Sequence, residues 1–296
     1  MSRKALIVGA SGLVGSHLAE AFRPTWDVTG TYFAQEKPGL CRLDMTDADA
    51  TLALIRSVRP EVVLCPAADP NVDRCEQQPA ATRRINLHGT RAVVEAARAV
   101  SAKLVWFSTD YVFDGARPPY REDAPRGPLN EYARQKVACE DLVAAYPDHV
   151  IARVSAVYGW EKARKNYVVR LIERVGRGER AKAWTDQVLT PTFAPNLGVV
   201  IRELVESGAT GTYHTCGSQP MDRYSFSTLI CRTFDLDPSL IDPVTSDEFQ
   251  PTPTPRPRDV GLLTEKIRAV VRTPLASPAE GLARMKATGD HHACAS

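Results

Sequence analysis

The stretch KALIVGASGLVGSHLAEAF, residues 4 to 22, constrains the fold more than any other part of the chain. KALIVGA is an apolar run of the kind that forms a strand buried on both faces of a parallel sheet. LVGSHLAEAF has the periodicity of a helix. Gly9, Gly12 and Gly15 mark the turn between them. Glycine at such a junction lets the backbone bend sharply and approach a diphosphate, and the helix behind it offers free N–H groups and its positive end. As a bare string, G-x-x-G-x-x-G is also compatible with a tight turn and nothing more. Its place between a strand and a helix, at the very start of a sheet, is the context in which it binds a dinucleotide. The diphosphate is expected over Gly12, Leu13 and Val14, with Ser11 in the same loop.

The alternation continues through the first half. DVTGTYF, EVVLCPAA and AKLVWFSTDYVF read as strands. DADATLALIRSVRP reads as a helix with Asp47 or Asp49 near its start, and QPAATRRINLHGTRAVVEAARAV as one long helix. The fold class is therefore α/β, a parallel sheet with helices on both faces. The second half is less regular. VIARVSAVYG reads as a single strand ending at Gly159, and three further segments are helical, one with Pro195 in its first turn. PTPTPRPRD, residues 251 to 259, can be neither helix nor central strand and predicts a stiff extended loop. The expected division is a dinucleotide-binding domain over 1–157, to which about 185–212 return. A smaller lobe comprises 158–184 and 213–280, and 281–296 form a tail.

Composition removes several function classes. The 296 residues carry a formal net charge of +2 and 24% charged residues, so a concentrated basic surface for nucleic acid is not expected. No stretch reaches membrane-spanning length, and MSRKALIVGA enters a strand with no apolar leader before it, which implies a cytoplasmic protein. The seven cysteines are scattered without a C-x-x-C pair, arguing against a disulfide framework or structural zinc, and no metal is expected. His291, His292 and Cys294 resemble metal ligands but lie in a small-residue tail, where terminal disorder is the simpler reading. His214, alone on a strand, reads as packing.

FSTDYVFDG, residues 107 to 115, carries the first chemical signal. An apolar strand gives way to Ser108, Thr109 and Asp110, and in an open parallel sheet the carboxyl ends of strands border the ligand crevice. Further on, LNEYARQKVACE places Tyr132 and Lys136 one helical turn apart. Alone, that pair also describes the exposed face of any amphipathic helix. With Thr109 it makes a chemical unit. Hydride addition to a carbonyl carbon leaves charge on oxygen. Tyr132 can donate the proton, Lys136 can favour the tyrosinate and bond the nicotinamide ribose, and Thr109 can hold the oxygen.

GASGLVG, STDYVFDG, PLNEYARQK and RPRDVGLLTEK together resemble the extended short-chain dehydrogenase/reductase superfamily. The closer resemblance is to the branch that holds dTDP-4-dehydrorhamnose reductase and the regulatory beta subunit of methionine adenosyltransferase. It runs from about residue 3 to about 275. It implies a Rossmann-type sheet and a C-terminal substrate-binding lobe, with Thr109, Tyr132 and Lys136 in the catalytic positions and Gly9, Gly12 and Gly15 in the diphosphate loop. Ala67 and Ala68 then line the nicotinamide side, Asn86 shapes the catalytic centre, and Tyr111, Val112 and Phe113 border a sugar pocket with Asp110. Trp160, Asn166, Gln187, Thr192 and Arg256 are the lobe residues expected near the substrate. Arg256 is the candidate for a diphosphate, because a guanidinium held on a stiff segment suits one. Trp160 would stack on the sugar or nucleobase, or else pack one lobe on the other.

No acidic residue ends the second strand at Tyr32, so a 2'-phosphate is not repelled and NADP(H) is favoured, with NAD(H) possible. Lys37 or a backbone N–H is the candidate contact. Asp44, beside Met45, would accept from the adenine amino group or cap the next helix. The resemblance implies reduction of a nucleotide-activated 4-keto-6-deoxy sugar. The alternatives are a regulatory partner of methionine adenosyltransferase without turnover, or a sugar epimerase. Dehydratases of this group usually carry Asp-Glu after the threonine, and here Asp110 is followed by Tyr111. Ala133 stands where many relatives have glycine. The helices around 90–100 and 131–145 are the candidate faces for a homodimer.

Overall fold

The structure, a computed structural model, describes residues 3–289. The first part runs β1 (Arg3–Ile7), α1 (Leu13–Phe22), β2 (Trp26–Tyr32), β3 (Leu40–Arg42), α2 (Ala48–Val58), β4 (Val62–Cys65), α3 (Val72–Gln77) and α4 (Pro79–Arg83). A π-helical turn (Arg84–His88) leads into α5 (Gly89–Ala99), followed by β5 (Lys103–Thr109), α6 (Glu131–Ala144) and β6 (His149–Val154). The later part is made of shorter elements: β7 (Val157–Tyr158), α7 (Tyr167–Gly176), β8 (Ala181–Trp184), β9 (Val188–Leu189), β10 (Thr192–Phe193) and α8 (Ala194–Glu206). It continues with β11 (Gly211–His214), β12 (Met221–Asp222), α9 (Arg223–Thr233), β13 (Ile241–Val244), α10 (Glu265–Arg268) and α11 (Pro278–Thr288).

Seven strands form the main sheet in the order β11-β6-β5-β4-β1-β2-β3. Every neighbouring pair is parallel. Successive residues of β1 serve opposite faces, as strand geometry requires. Ala5 and Ile7 join the apolar layer under α1 and α8, whereas Leu6 joins the layer under α2, α5 and α6. A third apolar cluster, around Tyr158, Val169, Phe226 and Leu282, is the core of the lobe. Ile267 and Leu275, in the stretch assigned from sequence to that lobe, pack instead against the main sheet.

The stretch from 281 to 288, expected as part of a tail, belongs to α11 and buries Leu282 and Met285 in the lobe core. Three further departures from the sequence reading fall beside the crevice. The long helix is interrupted by the π turn at 84–88, which carries the buried Asn86; such a turn adds a residue and re-aims the side chains next to it. The strand expected to reach Phe113 stops at Thr109, whose hydroxyl accepts from the Tyr111 N–H and starts a short 3-10 turn. VIARVSAVYG is two strands rather than one. Ala156 has φ of +40°, and beyond it β7 leaves the sheet to pair with β10.

Candidate active site

The chain runs from β1 outward to β3 and then returns to the other side of β1 as β4. The carboxyl ends of β1 and β4 therefore flank the point where the strand order reverses, where ligands of such sheets bind. Gly9 sits there with φ of +93°, and a Cβ on it would lie 2.9 Å from the Cβ of Ala67. A Cβ on Gly15 would lie 2.2 Å from the Gly9 carbonyl oxygen. Both positions thus exclude side chains, and together they fold the loop tightly onto the start of α1. The Gly9 N–H donates to Thr31 Oγ1 at 3.0 Å, which ties the loop to β2.

A cavity of about 440 Å³ opens beside this loop, bounded by Gly9, Tyr32, Asp44, Met45, Ala67 and Ala68, with Phe33 and Arg84 at its margin. Asp44 Oδ1 accepts from the backbone N–H and hydroxyl of Thr46, while Asp47 is the residue that caps α2. Lys37 does not line the cavity; burial first, then Lys162, holds its ammonium below the usual range. Ser11, Leu13 and Val14 lie along the loop and first turn of α1, half-buried, and Gly12 between them is exposed. The side-chain-free loop and the apolar slot next to it fit a nicotinamide dinucleotide.

Tyr132, Lys136 and Glu140 occupy successive turns of α6 and are all buried. Asn130 caps this helix by accepting from Ala133 N at 2.9 Å, and its Nδ2 donates to Pro255 O, so the helix start is tied to the proline-rich loop. Burial is the largest influence on Tyr132 and pushes its phenol well above the ordinary tyrosine value; the Thr109 hydroxyl opposes that rise. Lys136 Nζ donates to Phe107 O at 2.7 Å and lies 4.2 Å from the centre of the Trp106 ring. Burial lowers its pKa. The sequence predicts that the ammonium pulls the phenol down. In the structure desolvation is the largest influence, the Thr109 hydroxyl opposes it, and the phenol is raised.

Asp110 accepts from the Thr109 hydroxyl at 3.0 Å and from Ser155, and burial pushes its carboxyl up to about 6. Asn86 is fully engaged: Oδ1 accepts from Asp69 N at 2.8 Å, and Nδ2 donates to Asp69 O and to Gln135 Oε1. It fixes the segment after β4 against α6. Beneath these groups, Arg153 on β6 makes two hydrogen bonds of 2.8 Å to Glu140, which also accepts from Ser108. Burial, the largest influence, raises the Glu140 pKa, but Arg153 prevails and holds it below the ordinary value. Gln135, Glu140 and Arg153 are absent from the sequence-derived site. The only trace of Glu140 was its spacing, four residues beyond Lys136 on the same face.

The lobe side agrees less closely with the residues chosen from sequence. Tyr111 meets the Tyr132 ring edge-on at 6.4 Å and borders the cleft. Val112 and Phe113 are wholly buried, with Phe113 stacked on Tyr120, so they support the site from behind. Trp160 donates to Met285 O and packs edge-on against Phe234, both in the lobe's own core, so it packs within the lobe rather than one lobe on the other. Asn166 caps α7 and bonds Gly159 O. Thr192 is buried and donates to Ser155 O. Arg256 is bound to Asp73, Thr252 Oγ1 and Thr254 O. Gln187 is buried and accepts from Arg223 Nε, a residue that the sequence reading passed over. His214 is buried with Nδ1 against Leu263 O, and desolvation lowers its pKa to about 4.

His291, His292 and Cys294 lie outside the described residues. Among the described residues no group of three or more His, Cys, Asp or Glu is placed to hold a metal, and no helix is long and apolar enough to cross a membrane.

The glycine loop and the cavity thus lie at the carboxyl ends of β1 and β4, and the Thr–Tyr–Lys unit, which does not line that cavity, lies at the end of the neighbouring strand β5 and on α6. Residues 3–290 match the family described as RmlD substrate binding domain. The chain belongs to this family. Among solved RmlD-like structures, dTDP-4-dehydrorhamnose reductase from Bacillus anthracis in complex with NADP superposes with a TM-score of 0.88 at 28% identity, covering 98% of this chain and all of that one. Methionine adenosyltransferase 2 subunit beta of Xenopus tropicalis is 32% identical over 92% of this chain and 84% of its own length. The probable low-salt glycan biosynthesis reductase Agl14 of Haloferax volcanii is 31% identical over 85% of this chain and 87% of its own. The RmlD family neighbours thus support a nicotinamide-dependent oxidoreductase framework and include a transferase subunit.

Proposed function

We propose that this protein reduces the 4-keto group of a nucleotide-activated 4-keto-6-deoxy sugar with NADPH. The observation that carries this reading is the convergence of Thr109, Tyr132 and Lys136 at the carboxyl end of β5, next to the dinucleotide crevice. A bound nicotinamide would supply hydride to the carbonyl carbon. Tyr132, with its pKa raised, holds its proton at neutral pH and can give it to the oxygen as negative charge develops there. Thr109 positions that oxygen, and the Lys136 ammonium steadies the tyrosinate left behind. NADPH is preferred over NADH because β2 ends in Tyr32 with Phe33 following and no acid. Arg84 borders the same cavity with no ion-pair partner among the described residues.

NADPH oxidation with a dTDP-linked 4-keto-6-deoxy sugar, and no second protein added, tests the reading. Turnover is expected. A second reading, a cofactor-binding regulatory subunit of methionine adenosyltransferase, is favoured by the 32% identity to the beta subunit over nearly the whole chain. Absence of turnover together with stable capture of methionine adenosyltransferase would establish it instead.

A further inference from the structure

Arg223, on the lobe side of the cleft, is oriented by Gln187, and among the described residues its outer nitrogens have no hydrogen-bond or ion-pair partner. It opens α9 immediately after β12, which pairs antiparallel with β9. Its backbone N–H donates to Gln187 O at 2.9 Å, and its side-chain Nε donates to Gln187 Oε1 at 2.7 Å. The guanidinium carbon lies 4.5 Å from the centre of the Tyr167 ring and 5.7 Å from that of Trp184. Gln187 is itself buried, so the fork is fixed in direction from behind and flanked by aromatic rings. Among the described residues, no hydrogen bond or ion pair engages its two Nη groups.

The same positive charge reaches the catalytic end of the cleft. Arg223 and then Arg256 are the cations acting on the phenol of Tyr111, whose ring meets Tyr132 edge-on. The two arginines differ in what they already bind. Arg256 has a carboxylate, Asp73, at 2.9 Å, and its Nη1 is held by Thr252 and Thr254. A second anion there would have to displace that set. Arg223 has no carboxylate within ion-pair distance among the described residues, and its one engaged nitrogen leaves the paired Nη edge available. Planar guanidinium makes two parallel bonds to phosphate oxygens from such an edge.

We propose that Arg223, oriented by Gln187, binds the diphosphate of a nucleoside-diphosphate substrate, and that Arg256 does not. This rests on the reductase reading above and names the residue by which that substrate class is recognised. The test is calorimetric titration of the full chain, saturated with NADPH, with thymidine diphosphate and with thymidine alone. Wild type is expected to bind the diphosphate and to bind thymidine far more weakly. Arg223→Lys keeps the charge without the fork and is expected to weaken diphosphate binding about 10-fold, and Arg223→Met about 100-fold, as expected for losing charge-assisted hydrogen bonds. Thymidine and NADPH binding stay unchanged in both, which also shows that the variants are folded. Arg256→Met is expected to bind the diphosphate as wild type does. Equal binding by wild type and Arg223→Met overturns the assignment while leaving the reductase reading intact, and so does a loss confined to Arg256→Met. Failure of wild type to bind thymidine, uridine and guanosine diphosphates alike removes the reductase reading and this assignment with it.

Discussion

The two walls of the cleft hold their polar groups by different means. On the sheet side, Thr109 ends β5, and Tyr132, Lys136 and Glu140 project from successive turns of α6. Regular backbone fixes their spacing, and a buried arginine pair fixes the helix to the sheet. On the lobe side, Gln187, Arg223 and Arg256 stand in the turn before a short strand, at a helix start and on a proline-rich loop. Their orientation comes from side-chain bonds between distant parts of the chain: Arg223 to Gln187 across 36 residues, Arg256 to Asp73 across 183. The sheet wall is preorganised by secondary structure and suits a reaction needing fixed geometry. The lobe wall is preorganised contact by contact and suits recognition that varies among relatives sharing one fold.

If that contrast holds, damage to the sheet wall should strike the chemical step, and damage to the lobe wall should strike affinity. The largest effect is expected at Tyr132. Tyr132→Phe removes the proton donor while leaving the buried ring, and a positioned general acid contributes about 100- to 10,000-fold in rate. Turnover should fall by that factor with NADPH affinity unchanged, as measured by single-turnover NADPH oxidation beside a fluorescence titration. A fall in substrate affinity with kcat preserved would erase the distinction between the walls.

Next in size is the pair under the sheet wall. Glu140→Ala leaves the Arg153 guanidinium buried without its carboxylate, and breaking a buried pair from one side costs about 3–5 kcal/mol. Urea unfolding should show a loss of this order. A loss below about 1 kcal/mol would mean that neighbouring groups or water take over the charge, and that α6 is not held by this pair.

Asp110 offers a test by pH. Its folded carboxyl is raised from 3.8 to about 6, mainly by burial, so folding favours its protonated form. Below pH 3.8 both folded and unfolded chains are protonated and nothing is lost. Between pH 3.8 and 6 the unfolded chain ionises first, so stability falls as pH rises, by up to about 3 kcal/mol, and then levels off. Cys216, Tyr111 and Tyr132, which interact with Asp110, are all raised and do not titrate in that window. Asp110→Asn should remove this component, so the melting temperatures of wild type and variant should converge toward pH 4 and separate toward pH 6. Parallel curves would show that Asp110 ionises in the folded chain as freely as in the unfolded one.

What was legible in the sequence follows the same division. The strand–glycine–helix start, the alternation up to β6, and the Thr109, Tyr132 and Lys136 unit could be read because each depends on residues near in sequence, with periods of two or about 3.6. The π turn at 84–88 could not, since its sequence is ordinary helix and the extra residue is held by Asn86 bonding Asp69 and Gln135. The break at Ser155 and Ala156 was hidden for a similar reason: a β-rich run gives no sign that Ser155 turns to Asp110 and Thr190. In the lobe, Trp160 and Arg256 drew attention as residue types suited to ligands. Their partners Met285, Phe234 and Asp73 lie far away in the chain, and nothing local showed that these side chains were already engaged. Arg223 was overlooked because its aromatic flanks, Tyr167 on α7 and Trp184 on β8, likewise come from other parts of the chain.

The smallest effect is expected at Arg256, where the distinction between a bound and an available guanidinium can be checked from the stability side. Its ion pair with Asp73 is partly solvated, the two side chains retaining 23% and 28% of their exposure. Pairs of this kind contribute about 0.2–1 kcal/mol, and salt screens them. Burial, the largest influence on Asp73, raises its pKa, but Thr252, Thr254 and Arg256 together bring it below the ordinary value. A carboxyl depressed on folding stabilises the protein above its unfolded pKa, and that contribution is lost as pH falls through the folded one. Arg256→Ala removes one of three depressing partners. It should lower the melting temperature slightly at pH 7, less in high salt, with the difference shrinking as the medium is acidified below pH 4. Because the proline-rich loop is also tied to Asn130 through Pro255, and bridges Asp259 to Val188, it should keep its course without the pair. Nucleoside-diphosphate affinity should therefore stay within about twofold of wild type. A large loss of affinity with no change in melting temperature would make Arg256 a ligand rather than a strut, and the lobe wall would then use two cations where the geometry supports one.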